Sequence, residues 1–134
     1  MTQPREWSGA LSVCNRWIDE QHRQLIDLCN KAEVCAALSS HEAHREFHHL
    51  LNDLATLVGN HFRDEETLLA IHESPNLDAH KAAHVSFLER LTQLLYDGAR
   101  GLIDSRTLHR LIADYLIEHM LEMDMQEKHY LQKR

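Results

Sequence analysis

The sequence predicts an all-α protein, an antiparallel up-down-up-down four-helix bundle preceded by an N-terminal arm. Its 134 residues are 43% hydrophobic with only four glycines and two prolines, a composition of compact helical proteins rather than of disordered chains or β-sandwiches. Four long stretches repeat their apolar residues every three to four positions, which marks amphipathic helices. The breaks between these stretches are short, and short connections make long helices antiparallel neighbours. The length suits one domain with one core. Residues 1–134 therefore read as a single domain, with 1–15 as the arm and 125–134 as a charged extension of the last helix or a frayed tail.

The first segment is expected over residues 16–38, closed by Ser39-Ser40, with Ile18, His22, Leu25, Cys29, Ala32 and Ala36 on its inner face. The second is expected over 42–71, with Leu50, Leu54, Leu57, His61, Glu65 and Leu68 facing inward. Ser74-Pro75-Asn76 stops it, because proline cannot continue a helix. The third is expected over 77–96, with Leu77, His80, His84, Phe87, Leu91 and Leu94 inward and the glycine-containing run Asp97-Gly98-Ala99-Arg100-Gly101 as its stop. The fourth starts at Asp104 or Ser105 as N-cap and reaches at least residue 123, with Leu108, Leu111, Tyr115 and His119 inward.

Charge and cysteine usage exclude several classes. A formal net charge of −7 repels nucleic-acid phosphates. No apolar run approaches the roughly 20 residues of a membrane helix, and the polar start Met1-Thr2-Gln3-Pro4-Arg5-Glu6 is unlike a signal peptide. Cys14, Cys29 and Cys35 are odd in number and lack paired spacing, which fits thiols in a reducing cytoplasm.

Each inner face is interrupted by residues that bind metals. Burying even a neutral polar group without a partner costs roughly 2–7 kcal/mol, so a convergent set of imidazoles and carboxylates needs a strong common partner. Mixed ligands of this kind suit iron, zinc or manganese rather than calcium or magnesium. His61 with Glu65 and His80 with His84 are i,i+4 pairs, which lie about 40° apart around a helix and one turn along it. His22 and His119 add an inward imidazole from the other two helices. An acidic partner for His119 is left open by periodicity. Asp124 lies about 140° away on an ideal helix, and Glu118 or Glu122 would serve equally unless a π-bulge turns Asp124 inward.

Four motifs in this order resemble the hemerythrin family, and its bacterial members in particular: Ile18-Asp19-Glu20-Gln21-His22-Arg23-Gln24-Leu25, His61-Phe62-Arg63-Asp64-Glu65-Glu66, His80-Lys81-Ala82-Ala83-His84-Val85-Ser86-Phe87 and His119-Met120-Leu121-Glu122-Met123-Asp124. The resemblance spans residues 7–124. It implies a four-helix bundle holding a non-heme diiron centre that binds O2 reversibly. By the same resemblance, His80, His84 and His119 hold one iron, His22 and His61 hold the other, and Glu65 and Asp124 bridge them together with an oxo or hydroxo group. The iron with two histidines is then one ligand short, and O2 or a small anion such as azide would take that position. The implied role is binding rather than enzymatic, as an O2 carrier or store or as the sensing domain of a signalling protein, with a signalling partner fused or separate. No nucleic acid or membrane is expected as a partner.

Two rival functions are weaker. A ferritin-like diiron oxidase wants Glu-x-x-His on two helices, whereas the one such pair, Glu46 and His49, lies outside the cluster. A zinc hydrolase built on His80 and His84 would need a glutamate at position 81, where this chain has Lys81. Of the other histidines, His41, His44, His48 and His49 read as a wet face, and His72, His109 and His129 as surface or loop residues. Glu66 is expected to point away from the centre. Leu25, Leu57, Phe62 and Leu116 line the expected pocket or simply fill the core. Trp7 and Trp17 are expected to anchor the arm.

Overall fold

The computed structural model describes residues 9–132, so Trp7 lies outside the described residues. Four long α-helices dominate: α1 (Arg16–Ala36), α2 (His41–Ile71), α3 (Leu77–Ala99) and α4 (Ser105–Glu118). A 3-10 turn at Gly9–Leu11 precedes them, while a π-helical segment at His119–Asp124 and the short α5 (Lys128–Leu131) follow. α1 packs on α2 and α4, and α3 packs on the same two. That arrangement closes an antiparallel bundle. No helix among the described residues is long and apolar enough to cross a membrane.

The ends are set by local chemistry. Asn15 caps α1, its side-chain oxygen accepting from the backbone N–H groups of Trp17 and Ile18, both at 3.1 Å. Ser40 caps α2 through the Ala43 N–H, and Asp104 caps α4 through the Thr107 N–H. Such caps satisfy donors that the helix itself leaves unpaired.

α3 runs past its expected stop to Ala99. Gly98 lies inside the helix and is buried, and a Cβ there would collide with the side chain of Leu108 on α4. The close α3–α4 approach thus needs this glycine, and packing overrides its cost of roughly 1 kcal/mol in a helix. Termination falls to Gly101, whose φ of +74° is the left-handed conformation glycine adopts just after a helix end.

The inner faces hold as expected on α1 and α3, with Ala36 and Leu77 half-buried at their ends. On α2, Leu57 and Leu68 are half-buried and Val58 and Leu69 take the core. On α4 the expectation fails at Leu111, which is 36% exposed, whereas Ile112 is 3% exposed. Steps of four from Leu108 through Ile112 to Leu116 define the buried line, which leaves Leu111 and Tyr115 on its flank. His109 is buried rather than on the surface, and its Nε2 donates to the Cys29 carbonyl at 2.7 Å. Trp17 is 50% exposed and is no anchor for the arm. Val13 does that work, buried with its N–H on Asp19 Oδ1 at 2.9 Å.

Two apolar clusters divide the interior. The larger includes Leu25, Cys29, Phe47, Leu54, Phe87, Leu108 and Leu116. The smaller joins Val13, Ile18, Leu69 and Leu131. Residues 125–131 continue in helical form with one turn at Glu127, and Leu131 belongs to α5. α5 packs against α2, held by Asn15 Nδ2 donating to the Leu131 carbonyl at 2.8 Å and by Ser74 Oγ donating to Glu127 Oε2 at 2.8 Å. Cys14 is exposed, Cys29 buried and Cys35 half-buried, and no disulfide joins them.

Candidate metal centre

Between the two apolar clusters lies a band of polar side chains. α1 passes from Ile18 to Leu25 through His22. α2 passes from Val58 to Leu69 through His61 and Glu65. α3 contributes His80 and His84 before Phe87, and α4 hands over to His119 and Asp124. All seven residues singled out from the sequence meet here, and none exceeds 6% exposure.

Their polar atoms crowd one small volume. His22 Nε2 lies 2.8 Å from Asp124 Oδ2 and 3.0 Å from His61 Nε2. His61 Nε2 is 3.0 Å from Glu65 Oε2. On the other side His80 Nε2 and His84 Nε2 approach Glu65 Oε1 at 2.6 and 3.2 Å, and His119 Nε2 approaches Asp124 Oδ1 at 3.2 Å. Each carboxylate thus turns one oxygen toward each group of histidines.

Asp124 reaches this place through the π-helical segment His119–Asp124. In a π-helix the hydrogen bonds run from residue i to i+5, so residues five apart stand one turn from each other. The π-bulge therefore resolves the choice that periodicity left open. Glu118 and Glu122 are exposed instead.

Electrostatics couple the set. Burial disfavours a charged His61 or His80, but Glu65 and Asp124 outweigh it and push both imidazoles up to about 10. His22 is raised in the same way against its burial, chiefly by Asp124 and Glu65. Burial and mutual repulsion oppose ionisation of Glu65, yet His61 and His22 hold it well below the usual range. Burial opposes ionisation of Asp124 too, and His119, His22 and His61 hold it low. Two buried anions that draw protons this strongly draw a cation for the same reason.

The residues fit metal ions. Glu65 Oε2, His84 Nε2, His119 Nε2 and Asp124 Oδ1 are buried without a hydrogen-bond partner, a costly state for a core unless something else binds them. Two groups of ligand atoms, each within 4.8 Å of one another, satisfy the spacing of a coordination shell: Glu65, His80, His84, His119 and Asp124 in one, His22, His61, Glu65 and Asp124 in the other. First-row ions sit roughly 2.0–2.2 Å from such ligands, so ligands opposite each other lie about 4.2 Å apart. Both groups share Glu65 and Asp124.

A surrounding layer orients the rings. His61 Nδ1–H donates to Gln21 Oε1 at 2.7 Å, and Gln21 Nε2 in turn donates to Asp64 Oδ2 at 2.8 Å. His84 Nδ1–H donates to Glu66 Oε2 at 2.7 Å. Phe62 stacks on the His84 ring, 3.7 Å between centroids and 5° between planes. These bonds turn each Nε2 lone pair inward, as partners behind metal-binding histidines do. Glu66 stays out of the ligand cluster, but the expectation that it simply points away missed its bond to His84. One step around α2 from Glu65 it faces α3. The adjacency of Gln21 to His22 and of Glu66 to Glu65 was the available signal.

The remaining titratable candidates fall elsewhere. His41, His44 and His49 are exposed, His48 and His72 half-buried and His129 exposed, and Glu46 lies exposed on the far half of α2.

Comparison with known proteins agrees with this architecture. The chain is 22% identical to a bacteriohemerythrin of Campylobacter jejuni over 125 residues, 92% of each chain. It is 25% identical to a myohemerythrin of Theromyzon tessulatum over 126 residues, covering 94% of this chain and 92% of that one. A crystal structure of wild-type hemerythrin superposes with a TM-score of 0.85 at 24% identity, over 96% of this chain and 98% of that one, which shows the shared fold. Residues 15–131 match the family model described as the hemerythrin HHE cation binding domain, and with a bundle of this form around its histidines and carboxylates the chain belongs to the hemerythrin family.

Proposed function

We propose that this chain binds O2 reversibly at a pair of iron ions held in the polar band. Oxygen and iron binding come with the family; the stoichiometry and the residue roles are the proposal. His80, His84 and His119 would hold one iron and His22 and His61 the other, with Glu65 and Asp124 available to both. The supporting observation is that the two ligand groups overlap in Glu65 and Asp124 alone. One ion in the larger group would leave His22 and His61 unused, and one in the smaller group would leave His80, His84 and His119 unused. Two ferrous ions supply the two electrons that O2 takes up on binding and returns on release.

The chain's own residues provide the rest. Gln21 and Glu66 fix which nitrogen of His61 and His84 faces inward. Phe62, buried against the rings of His84 and His119, sets apolar surface beside the centre, and Leu25 and Leu116 belong to the same apolar cluster as Phe62. His80, His84 and His119 would supply three ligands to one ion and His22 and His61 two to the other, so the His22 and His61 side would be the one with room for O2 or azide. The oxidase alternative is disfavoured because Glu46 and His49 lie exposed on α2, outside both ligand groups. The site serves an O2 carrier, store or sensor equally, and cysteines not joined by a disulfide fit a cytoplasmic setting.

Metal analysis and visible spectroscopy test this reading. Two irons per chain with little zinc are expected, with a visible band that appears under O2 and reverses under vacuum. One zinc per chain retained after anaerobic iron loading overturns the diiron reading. Azide bound at the three-histidine iron overturns the assignment of the open position.

A further inference from the structure

The first half of α2 carries histidines that the buried centre does not use. His44 and His48 are an i,i+4 pair, His44 exposed and His48 half-buried. Their ring centroids lie 4.6 Å apart with planes at 73°. His80 and His84, the i,i+4 pair inside the centre, have centroids 4.4 Å apart at 89°. The outer pair therefore repeats the inner pair's arrangement. Phe47 packs edge-on against His48 at 5.4 Å, which restricts that ring and lowers the entropy lost on binding.

We propose that His44 and His48 form a second, peripheral metal site that takes one imidazole-preferring divalent ion of the Zn2+ or Cu2+ kind. Two neutral imidazoles one helical turn apart can chelate a single first-row ion, and such ions favour nitrogen donors. Water completes the coordination, because the pair faces solvent. The Glu46-x-x-His49 motif is not this site. His49 lies a step around the helix and approaches Asp53 at 3.7 Å. His48 and His61 are 13 positions apart on one helix, a rise of roughly 20 Å, so the peripheral ion and the buried centre are separate.

Titration calorimetry with ZnCl2 on protein whose buried centre is already iron-loaded tests the proposal. The parent should take up one Zn2+ per chain with iron retained. His44→Gln with His48→Gln should weaken that binding about tenfold or more through loss of both nitrogen ligands, while His49→Gln leaves it unchanged. His44 and His49 are exposed and His48 is half-buried against Phe47, so a melting temperature measured for each variant verifies that it folds. Absence of Zn2+ uptake by the parent, or uptake of unchanged affinity by the double variant, overturns the proposal. Either result leaves the diiron reading standing, which is tested by iron content and O2 spectra.

Discussion

His119 and Asp124 are five positions apart yet aim at one point, His119 Nε2 lying 3.2 Å from Asp124 Oδ1. An uninterrupted α-helix would turn them about 140° apart. The π-helical segment between them spends one extra residue per turn and so delivers a carboxylate where the regular repeat would have placed the exposed Glu122 or Glu118.

The shared carboxylates should fail differently from the histidines. On the proposed diiron reading, Glu65→Ala or Asp124→Ala takes a residue from both ligand groups and should deplete both irons, whereas His119→Ala takes one from a single group and should leave the His22 and His61 side partly loaded. Iron content per chain after reconstitution checks this. Equal losses in His119→Ala and Glu65→Ala would argue against carboxylates common to both sites.

Glu66→Gln should lower metal affinity roughly 10–100-fold, the usual effect of removing a partner behind a metal-bound histidine. Gln21→Leu should act similarly through His61. Glu122→Gln, exposed on the segment carrying His119, should change nothing. Competition with a chelator of known affinity gives the values. Parent-like affinity in Glu66→Gln would mean that its 2.7 Å bond to His84 has no bearing on the metal.

The metal-free protein should show an unusual pH response. His61 and His80 rise from 6.5 to about 10 on folding, so their stabilisation is full below 6.5 and is lost as pH climbs toward 10. Glu65 and Asp124 are depressed, so theirs is present above the ordinary carboxylate range and is lost as pH falls through the lowered folded values. The metal-free form should therefore be most stable in weak acid and melt earlier at about pH 9 than at about pH 6. Metal must displace the imidazole protons, so the stabilisation it adds should grow over the same interval. Thermal melts of both forms at the two pH values measure this. A metal-free form that gains stability toward pH 9 would refute the coupling.

Removal of metal should itself lower the melting temperature, since ligands that bind only the folded state stabilise it. Leu131→Ala should destabilise the loaded protein by about 2–5 kcal/mol, as expected for a fully buried leucine. Denaturant unfolding provides the number. A loss below about 1 kcal/mol would show that α5 is not integral to the fold.

Much of this was legible before the structure. The seams of α1 and α3, the stop at Ser74-Pro75 and the inward histidines follow from helical periodicity and proline geometry. What escaped has physical causes. Gly98 looked like a stop, but the close approach of Leu108 required it inside α3. His109 looked polar enough for the surface, but it is buried with its Nε2 donating to the Cys29 carbonyl on α1. Leu111 and Ile112 are equally apolar neighbours, so only packing could choose between them. Asp124 was reachable through resemblance and not through period, because a π-bulge leaves no plain mark in residue type. Leu131 sits in a charged tail whose composition hides one decisive contact.

That contact links the end of the chain to the centre. Leu131 rests against Ile18 and Leu69, each four residues from a side chain of the polar band, His22 and Glu65, while its carbonyl is held by the residue that caps α1. Force applied at the C-terminal side of α5 is therefore passed to two helices that carry the polar band, one helical turn away. On the proposed reading, an event that pries α5 loose would weaken metal binding, and by reciprocity of linked equilibria a filled centre would resist that prying. The last turn is a handle on the site.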